Sequence, residues 1–286
     1  MKNNVYQEIT EKIIAQLSKG IIPWEQPWFG TRGAISHSTG ESYSLLNQMI
    51  LGGESGEFIT WHQIQMLKGR IIKGSKGRKV YFWGTIEVGD ENEKGERIIK
   101  KIPYLRTFTV FRVDDCEGIE NRWQSKQGNT ATVPPITQAE STTNQYLNRE
   151  GIKLEHKNSG EAYYSPRQDF INVPTINNFR SSEAYYSTLL HEIIHSTGHK
   201  KRLGRFNPDE HLSPFGSPDY SREELVAEIG ASFLLKRLNI DNDKTLQQNS
   251  AYIQSWIRAL NNDVRLIAVA AGRAEKAAQF VLGEKK

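Results

Sequence analysis

The chain has 286 residues, of which 37% are hydrophobic and 24% are charged; this balance is typical of a folded protein and excludes a largely disordered one. A net charge of +4 is too small to indicate a nucleic-acid-binding protein by itself, and a single cysteine, Cys116, excludes an internal disulfide framework. No apolar run approaches the roughly 20 residues that a membrane helix needs, and glutamates stand where a signal peptide has its apolar stretch. We therefore expect a cytoplasmic protein with no membrane partner, long enough for two domains.

The first half of the chain predicts a small α+β domain over residues 1–123. Apolar residues four apart predict an amphipathic helix over residues 4–19, and the proline-bent segment IIPWEQPWFG follows it. Residues 58–67, FITWHQIQML, have a helical pattern. Two β-branched and aromatic segments, KVYFWGTIEV and YLRTFTVFRV, flank the charged loop GDENEKGER and predict a hairpin. The polar segment 124–135, which ends in two prolines, is interpreted as a linker.

The second half, residues 136–286, has a different order of elements. A polar helix over residues 137–151 precedes predicted short edge strands in IKLEHK and EAYYSPRQDFINVP, with a turn near residues 166–169. Two helices are predicted from SSEAYYSTLLHEIIHST and SREELVAEIGASFLLKRL, and two more from residues 250–283. The whole chain is therefore predicted to be an α+β protein of two domains, the second built from helices and short edge strands.

His191, Glu192 and His195 form an H-E-x-x-H motif within the first of those helices. On a helix, residues four apart share one face, so both imidazoles can reach one ion at about 2.0–2.1 Å. Glu192 is adjacent to the first histidine and suits the role of general base. The alternative is a helix whose histidines are exposed or buried without a metal. The match of the complete motif favours the metal.

A third ligand is needed, and His199 does not fit. It lies eight residues beyond His191, or about 12 Å along a helix, so the three histidines cannot converge on one ion unless the helix breaks at Gly198. The longer metzincin motif requires a histidine at position 201, which is Lys201 here. The remaining ligand must therefore come from another element.

The following helix supplies two acids on one face, Glu224 and Glu228. The small residues Ala227 and Ala231 beside them allow this face to approach the histidine helix. We predict Glu224 as the third ligand and Glu228 as the acid that orients an imidazole, and the exchange of these two roles stays open. Glu223 points away from this face and is predicted to lie on the surface.

Two histidines, one carboxylate and an open position are typical of a catalytic zinc site and not of a structural one. We therefore predict a Zn²⁺ cofactor, with other divalent metals also compatible with these ligands. The chemistry indicated is hydrolysis of a polarised carbonyl with Glu192 as general base. His211 and Tyr220 are either donors that stabilise an oxyanion or ordinary loop residues.

A basic stretch over residues 66–80 contains no acid. Its cations are Lys68, Arg70, Lys73, Lys76, Arg78 and Lys79. Aromatic residues follow directly, and strand alternation puts Tyr81 and Trp83 on one face. Cations beside aromatic rings are typical of single-stranded-DNA binding, whereas the alternative is a solvated loop before a buried strand. Trp24 and Trp28, braced by prolines, either stack on bases or pin the first helix to the sheet.

Six segments carry a resemblance to a known family. The second half resembles the zincin-like metallopeptidase domain of ArdC antirestriction proteins from conjugative plasmids, in YYSPRQDFINVP, YYSTLLHEIIHSTGHKKRLGR and YSREELVAEIGASFL. The first half resembles that family's single-stranded-DNA-binding domain, in IIPWEQPW, FITWHQIQMLKGRIIKGSKGRKVYFW and LRTFTVFRV. The resemblance covers nearly the whole chain. It implies a protein that binds single-stranded DNA with its first domain and protects incoming plasmid DNA from restriction.

Two other functions stay open from the sequence. The chain could be chiefly a zinc-dependent protease that acts on a host protein, with the first domain as a targeting module. It could instead be a DNA-binding protein whose metal is structural or vestigial. The predicted partners are therefore single-stranded DNA and, for a protease, a protein substrate.

Overall fold

The computed structural model describes residues 5–25, 33–52, 54–91, 97–123, 135–157, 160–205, 218–240 and 250–284. The helices in these ranges are α1 (Val5–Leu17), α2 (Leu45–Leu51), α3 (Trp61–Met66), α4 (Pro135–Glu150), α5 (Ser182–Thr197), α6 (Pro218–Arg237), α7 (Ser250–Asn262) and α8 (Leu266–Leu282). The strands are β1 (Ala34–Ser36), β2 (Gly56–Thr60), β3 (Arg70–Ile71), β4 (Arg78–Glu91), β5 (Arg97–Arg112), β6 (Cys116–Glu117), β7 (Lys153–Glu155), β8 (Tyr163–Ser165) and β9 (Phe170–Asn172).

A four-stranded sheet with the order β1-β2-β5-β4 organises the first half. β1 and β2 are parallel, whereas β2–β5 and β5–β4 are antiparallel. The β4–β5 hairpin extends far beyond the other strands, from Arg78 opposite Val110 to Glu91 opposite Arg97. Among the described residues, β2 pairs with β5 only over Val110–Arg112. The rest of the hairpin is therefore a two-stranded ribbon, and β4 is an edge strand along its whole length.

Helix α2 fixes the base of this hairpin. The buried side chain of Asn47 accepts a hydrogen bond from the Tyr81 N–H (2.7 Å) and donates one to the Tyr81 C=O (2.8 Å). These two bonds satisfy backbone groups on the edge strand that would otherwise need a neighbouring strand. Next to the same sheet, Thr60 and Gln63 form a capping box that starts α3 directly at the end of β2.

The second half packs helices against a small sheet with the order β7-β9-β8. β7 is parallel to β9, and β8 is antiparallel to it. Helices α5 and α6 lie side by side, and α8 packs against both. The face of α8 that enters this bundle carries a stripe of buried alanines, and small side chains allow close helix packing. These alanines are Ala268, Ala270, Ala271, Ala274, Ala277 and Ala278.

One hydrophobic core connects the two halves. Helix α1 packs against α7 and α8, and α2 also contacts α8. Apolar residues of α1, such as Ile9 and Ile13, therefore share a cluster with α8 residues such as Ile267. The division into domains 1–123 and 136–286 remains a prediction, because residues 124–134 of the expected linker lie outside the described residues and the core crosses the boundary. Within the described residues, no helix is both long enough and apolar enough to span a membrane.

The predicted α+β fold class is confirmed. The helices expected at both ends of the chain, the hairpin, the short strands and the two motif helices are present. Of the short strands, β7 and β8 are edge strands as predicted, whereas β9 lies between them. The prediction of a helix over residues 58–67 is wrong in its first part, because residues 58–60 belong to β2 and the helix begins at Trp61. Phe58 and Ile59 point to opposite sides of the sheet, and both are buried. Because both sides of this strand are covered, its sequence lacks the alternation of apolar and polar residues that identifies a half-exposed strand.

Candidate metal centre and nucleic-acid surface

Helix α5 presents two histidines on one face. The helix starts at Ser181, whose hydroxyl accepts a hydrogen bond from the Ala184 N–H (3.2 Å), and continues to Thr197 without interruption. His191 and His195 are one turn apart, so their rings lie together, with centroids 4.7 Å apart. Their Nε2 atoms are separated by 3.1 Å. Both imidazoles therefore point at the same place.

Glu224 of α6 completes a cluster of three candidate ligands. Its Oε2 lies 3.5 Å from His191 Nε2, and its Oε1 lies 3.4 Å from His195 Nε2. The three ligand atoms all lie within 4.8 Å of one another. Ligands at 2.0–2.1 Å in a tetrahedral zinc site are about 3.3 Å apart, so the three separations fit a single divalent ion.

Close packing of α5 and α6 makes this convergence possible. A Cβ atom added at Gly230 would meet Ile194 Cδ1 at 2.9 Å, which is shorter than an ordinary contact. The buried residues Ala227 and Ala231 flank this glycine on α6. Gly230 therefore lies at the interface of α5 and α6, where a larger residue would displace Ile194.

The far side of each imidazole faces a second acid. Glu228 Oε1 lies 3.8 Å from His191 Nδ1, and Glu223 Oε1 lies 3.4 Å from His195 Nδ1. Arg205 holds Glu223 in place, since its guanidinium donates to both carboxylate oxygens at 3.1 and 2.6 Å. The prediction that Glu223 is a surface residue is therefore wrong. Helix α6 approaches α5 at an angle that brings neighbouring positions 223 and 224 to opposite sides of one imidazole.

The carboxylates of this cluster favour a positive charge between α5 and α6. Burial alone would lower the pKa of His195, but Glu223 and Glu224 raise it to about 10. The pKa of His191 is likewise above its usual value, because Glu224 outweighs the effect of burial. Burial opposes ionisation of Glu224, yet the two imidazoles hold its pKa well below the usual range. A site that favours cationic imidazoles beside carboxylates also suits a divalent cation with neutral imidazole ligands.

The other residues of the motif region have separate positions. Glu192 is buried on α5 and lies close enough to both imidazoles to raise their pKa values. His199 lies beyond the end of α5, where its Nδ1 accepts a hydrogen bond from the Lys201 N–H (3.2 Å), and it is outside the ligand cluster. His211 lies outside the described residues, and the side chain of Tyr220 is also not described.

A cleft of about 540 Å³ opens beside His191. One wall is the α5 face with Ala184 and Thr188, and the other is the α6 face that begins at Glu228. Arg180, at the outer end, belongs to the segment before α5. The cluster of candidate ligands therefore borders, at His191, a groove of a size that can admit part of a peptide chain.

Two of the aromatic residues predicted to bind DNA are buried. Trp24 is 0% exposed and packs edge-on against Trp256 at 5.2 Å, so it pins the start of the chain to α7. Tyr81 is 2% exposed and lies in the main core. The prediction that their rings stack on bases is wrong for both, because neither face is accessible. Trp83 is 48% exposed. Trp28 lies outside the described residues.

The basic stretch divides into exposed and paired cations. Lys68, Arg70, Lys73 and Lys76 are exposed. Arg78 binds Glu54 (2.5 Å) and Asp115 (3.0 Å), and Lys79 binds Glu8 (3.0 Å). The guanidinium of Arg78 is therefore held by two carboxylates of the first half. It is not well placed to contact a DNA phosphate, contrary to the prediction for this residue.

Sequence reasoning missed an aromatic and basic ladder on the hairpin. Phe82, directly opposite Arg106, is 44% exposed and packs edge-on against Phe108 at 5.6 Å. The Arg106 guanidinium lies 5.6 Å from the ring of Tyr104, which in turn covers Gly84. These residues share one face of the ribbon, and alternate aromatic and basic residues in RTFTVFR were the signal that could have identified them.

Both halves of the chain match known protein families. Residues 3–111 match the family described as the N-terminal domain of anti-restriction factor ArdC, and residues 141–273 match the zincin-like metallopeptidase family MPTase-PolyVal. The crystal structure of the antirestriction protein ArdC from plasmid R388, in its metal-free form, is similar over 98% of this chain and 97% of that chain, with 37% identity and a TM-score of 0.72. This chain belongs to the ArdC antirestriction family. The resemblance inferred from the sequence is confirmed.

A second structure of the R388 protein and two further proteins are similar to this ArdC-family chain. The Mn(II)-bound form of the R388 protein has 35% identity and the same TM-score. A DNA primase TraC from Escherichia coli is 31% identical over 99% of this chain, which spans only 27% of the primase. The uncharacterized protein y4eC of Sinorhizobium fredii is 29% identical over 97% of this chain and 91% of its own length. The metallopeptidase-like family and the Mn(II)-bound relative both indicate a divalent metal.

Proposed function

We propose that this ArdC-family chain is an antirestriction protein that binds single-stranded DNA and hydrolyses peptide bonds at a divalent metal, with Zn²⁺ as the expected ion. The single observation that supports the hydrolytic part is the convergence of His191 Nε2, His195 Nε2 and a Glu224 oxygen on one point. In this proposal the fourth coordination position of the ion is taken by water or substrate, as in catalytic zinc sites with three protein ligands.

Each residue of the cluster has a distinct role in this proposal. His191, His195 and Glu224 hold the ion, and Glu228 and Glu223 orient the two imidazoles from their Nδ1 sides. A divalent ion held by these residues would supply Lewis-acid polarisation of the scissile carbonyl. Glu192 accepts the proton of the attacking water as general base. The cleft beside His191 receives the peptide along α5 and α6.

Metal binding and cleavage can be tested separately. The purified chain is stripped with a chelator and titrated calorimetrically with Zn²⁺ and with Mn²⁺, and cleavage of a peptide library is followed by mass spectrometry. We expect one ion per chain and metal-dependent cleavage. Glu192→Gln should bind the ion normally and lose cleavage, whereas His195→Ala should lose both. Absence of stoichiometric metal would contradict the hydrolytic part of the proposal. Metal without cleavage in the unmodified chain would favour a structural or vestigial site.

A second function, single-stranded-DNA binding, is supported by the β4–β5 ribbon. β4 is an edge strand, and its successive residues Phe82 and Trp83 point to opposite faces. Phe82 lies with Arg106 and Phe108 on one face, and both Phe82 and Trp83 are about half exposed. Aromatic faces and cations in this arrangement stack on bases and contact phosphates without reading sequence. The exposed cations Lys68, Arg70, Lys73 and Lys76 remain proposed phosphate contacts.

Fluorescence anisotropy with a labelled oligothymidylate tests this surface. Each stacked base is worth about 1–3 kcal/mol, so Phe82→Ala and Trp83→Ala should each weaken binding about 5–150-fold. Ile86→Ala is the matched control, because Ile86 lies on the same strand and face as Phe82, is similarly exposed and has no aromatic ring. Equal binding by all three variants and the unmodified chain would count against the ribbon as the DNA surface.

A further inference from the structure

A small pocket lined by arginines lies where α6 meets the start of α8. Its volume is about 180 Å³, and Arg222, Arg265 and Arg273 contribute to its wall. Asp263 is the acid in this wall; its Oδ2 accepts a hydrogen bond from Arg222 (2.9 Å) and its Oδ1 accepts one from the Arg265 N–H (3.0 Å). Within the described parts of the chain, no carboxylate pairs with the guanidinium of Arg265 or Arg273. The pocket therefore has a net positive charge.

The size and walls of the pocket fit a phosphate group. Since a water molecule takes about 30 Å³ of liquid, a volume of 180 Å³ corresponds to about six waters and accommodates a phosphate with room for its esters. The remaining wall residues are apolar side chains of α6 and α8, which lower the local dielectric and strengthen an ionic contact. The first turn of α8 also lies in the wall, where the helix dipole favours an anion. Guanidinium groups match phosphate oxygens in pairs.

A row of rings connects this pocket with the hairpin. The Arg265 guanidinium lies 5.3 Å from the centre of the Tyr6 ring, and the Tyr6 ring lies 6.1 Å from that of Trp83. Arg265 and Arg273 are exposed, as is half of Trp83. The partly buried ring of Tyr6 thus lies between the arginine pocket of the second half and the exposed ring of Trp83 in the first half.

We propose that this pocket binds a backbone phosphate of single-stranded DNA whose bases stack on Trp83, so that the metallopeptidase-like half forms part of the DNA site. This inference rests on the proposed single-strand binding and extends it beyond the first half of the chain. A single-stranded DNA that crosses the edge of the hairpin at Phe82 and Trp83 passes from the face of the ribbon with Phe82 and Arg106 to the opposite face, which lies next to Tyr6. Arg265 and Arg273 then neutralise one or two of its phosphates, while Arg222 remains held by Asp263.

The test is anisotropy with a labelled 20-residue oligothymidylate across a range of salt concentrations, using the full chain. We expect Arg265→Ala/Arg273→Ala to weaken binding at least tenfold at 100 mM salt. Each lost phosphate contact should also make the slope of log K against log salt about 0.7 less negative. Lys236→Ala/Arg237→Ala is the matched control, because it removes the same charge from the last turn of α6, roughly 20 Å along that helix from Arg222.

The outcomes separate this inference from the function on which it rests. If the unmodified chain does not bind the oligonucleotide, the proposed single-strand binding fails. If it binds and the Arg265/Arg273 variant has unchanged affinity and slope, only the pocket is excluded. Urea unfolding checks that the double variant is folded. If it is not, the single substitutions Arg265→Ala and Arg273→Ala decide; each should weaken binding and make the slope less negative by at most about 0.7.

Discussion

His195 Nδ1 lies 3.4 Å from Glu223 Oε1, while Nε2 of the same ring lies 3.4 Å from Glu224 Oε1. One imidazole is thus held between two consecutive glutamates of α6. His191 has the same arrangement with Glu224 on its Nε2 side and Glu228 on its Nδ1 side. A single helix therefore supplies a shared carboxylate at the centre and one orienting carboxylate for each histidine. This arrangement directs the Nε2 atom of each ring at the shared carboxylate and its Nδ1 atom at an orienting carboxylate.

Removing the charge of Glu223 should loosen the site without removing a ligand. We expect Glu223→Gln to lower the affinity for Zn²⁺ about 10–100-fold, because His195 loses the acid that orients it and increases its basicity. In the metal-free chain the pKa of His195, about 10, should also fall, which NMR titration measures. Glu183→Gln, which removes one charge from the first turn of α5, is the control. An unchanged metal affinity and an unchanged His195 pKa together would contradict this role.

The two candidates for the third ligand should differ in the size of their effects. Glu224 lies between the two Nε2 atoms, so Glu224→Ala should lower metal affinity by more than 100-fold. Glu228→Ala, which removes an orienting group 3.8 Å from His191 Nδ1, should cost only about 10–100-fold. Calorimetric titration with Zn²⁺ compares the two variants. A larger loss for Glu228→Ala would show that the two roles are exchanged.

The candidate ligands could be predicted from the sequence because the H-E-x-x-H motif is local. A separation of four residues on a helix fixes their common face whatever the rest of the fold does. The roles of the acids on α6 were harder to predict, because the direction of their side chains depends on how α6 packs against α5. Residue spacing distinguished Glu224 and Glu228 from their neighbours, but it placed Glu223 on the surface. Only the packing angle, set near Gly230, brings that carboxylate to His195.

The nucleic-acid surface was less predictable for a related reason. Alternation in a strand correctly puts Tyr81 and Trp83 on one face, but it does not show where the covering elements end. α2 and the main core cover the ribbon at Tyr81, and two residues further out Trp83 is exposed. Trp24 is buried against Trp256, a partner more than 200 positions away in the sequence, and no local pattern reports such a contact. Long-range packing thus decided which aromatic residues are accessible.

Stability should depend on pH through Asp169, which joins the turn before β9 to the segment after α5. Arg202 donates to both of its carboxylate oxygens and the Tyr164 hydroxyl donates to one. Burial opposes ionisation, but these partners bring the pKa of Asp169 below its ordinary value of 3.8. The stabilisation is therefore complete above pH 3.8 and is lost as the pH falls through the lower folded-state pKa.

The variant Asp169→Asn tests this dependence without backbone strain, since Asp169 has a φ of 53° and asparagine also tolerates the left-handed region. At pH 7 we expect a loss of about 3 kcal/mol in the free energy of unfolding, because the nearly buried Arg202 guanidinium keeps its charge without its acid. Below pH 3.8 the difference from the unmodified chain should shrink. Asp114→Asn, in an exposed pair with Arg112, should cost at most about 1 kcal/mol. Urea unfolding at several pH values measures both, and a pH-independent difference would contradict the assignment.

Two glycine-to-alanine substitutions isolate the packing of α5 against α6. At Gly230 the new methyl group would meet Ile194 at 2.9 Å, so α6 must move away from α5 or Ile194 must leave its position. We expect Gly230→Ala to lower the free energy of unfolding by about 1–3 kcal/mol and to weaken metal binding, because Glu223, Glu224 and Glu228 move with the helix. Gly272→Ala on α8 is the control, since nothing lies within 4 Å of its new methyl group and alanine favours the helix by about 1 kcal/mol. Urea unfolding and Zn²⁺ titration of both variants measure these effects. If Gly230→Ala kept full metal affinity, the spacing of the two helices would not be what positions the three acids.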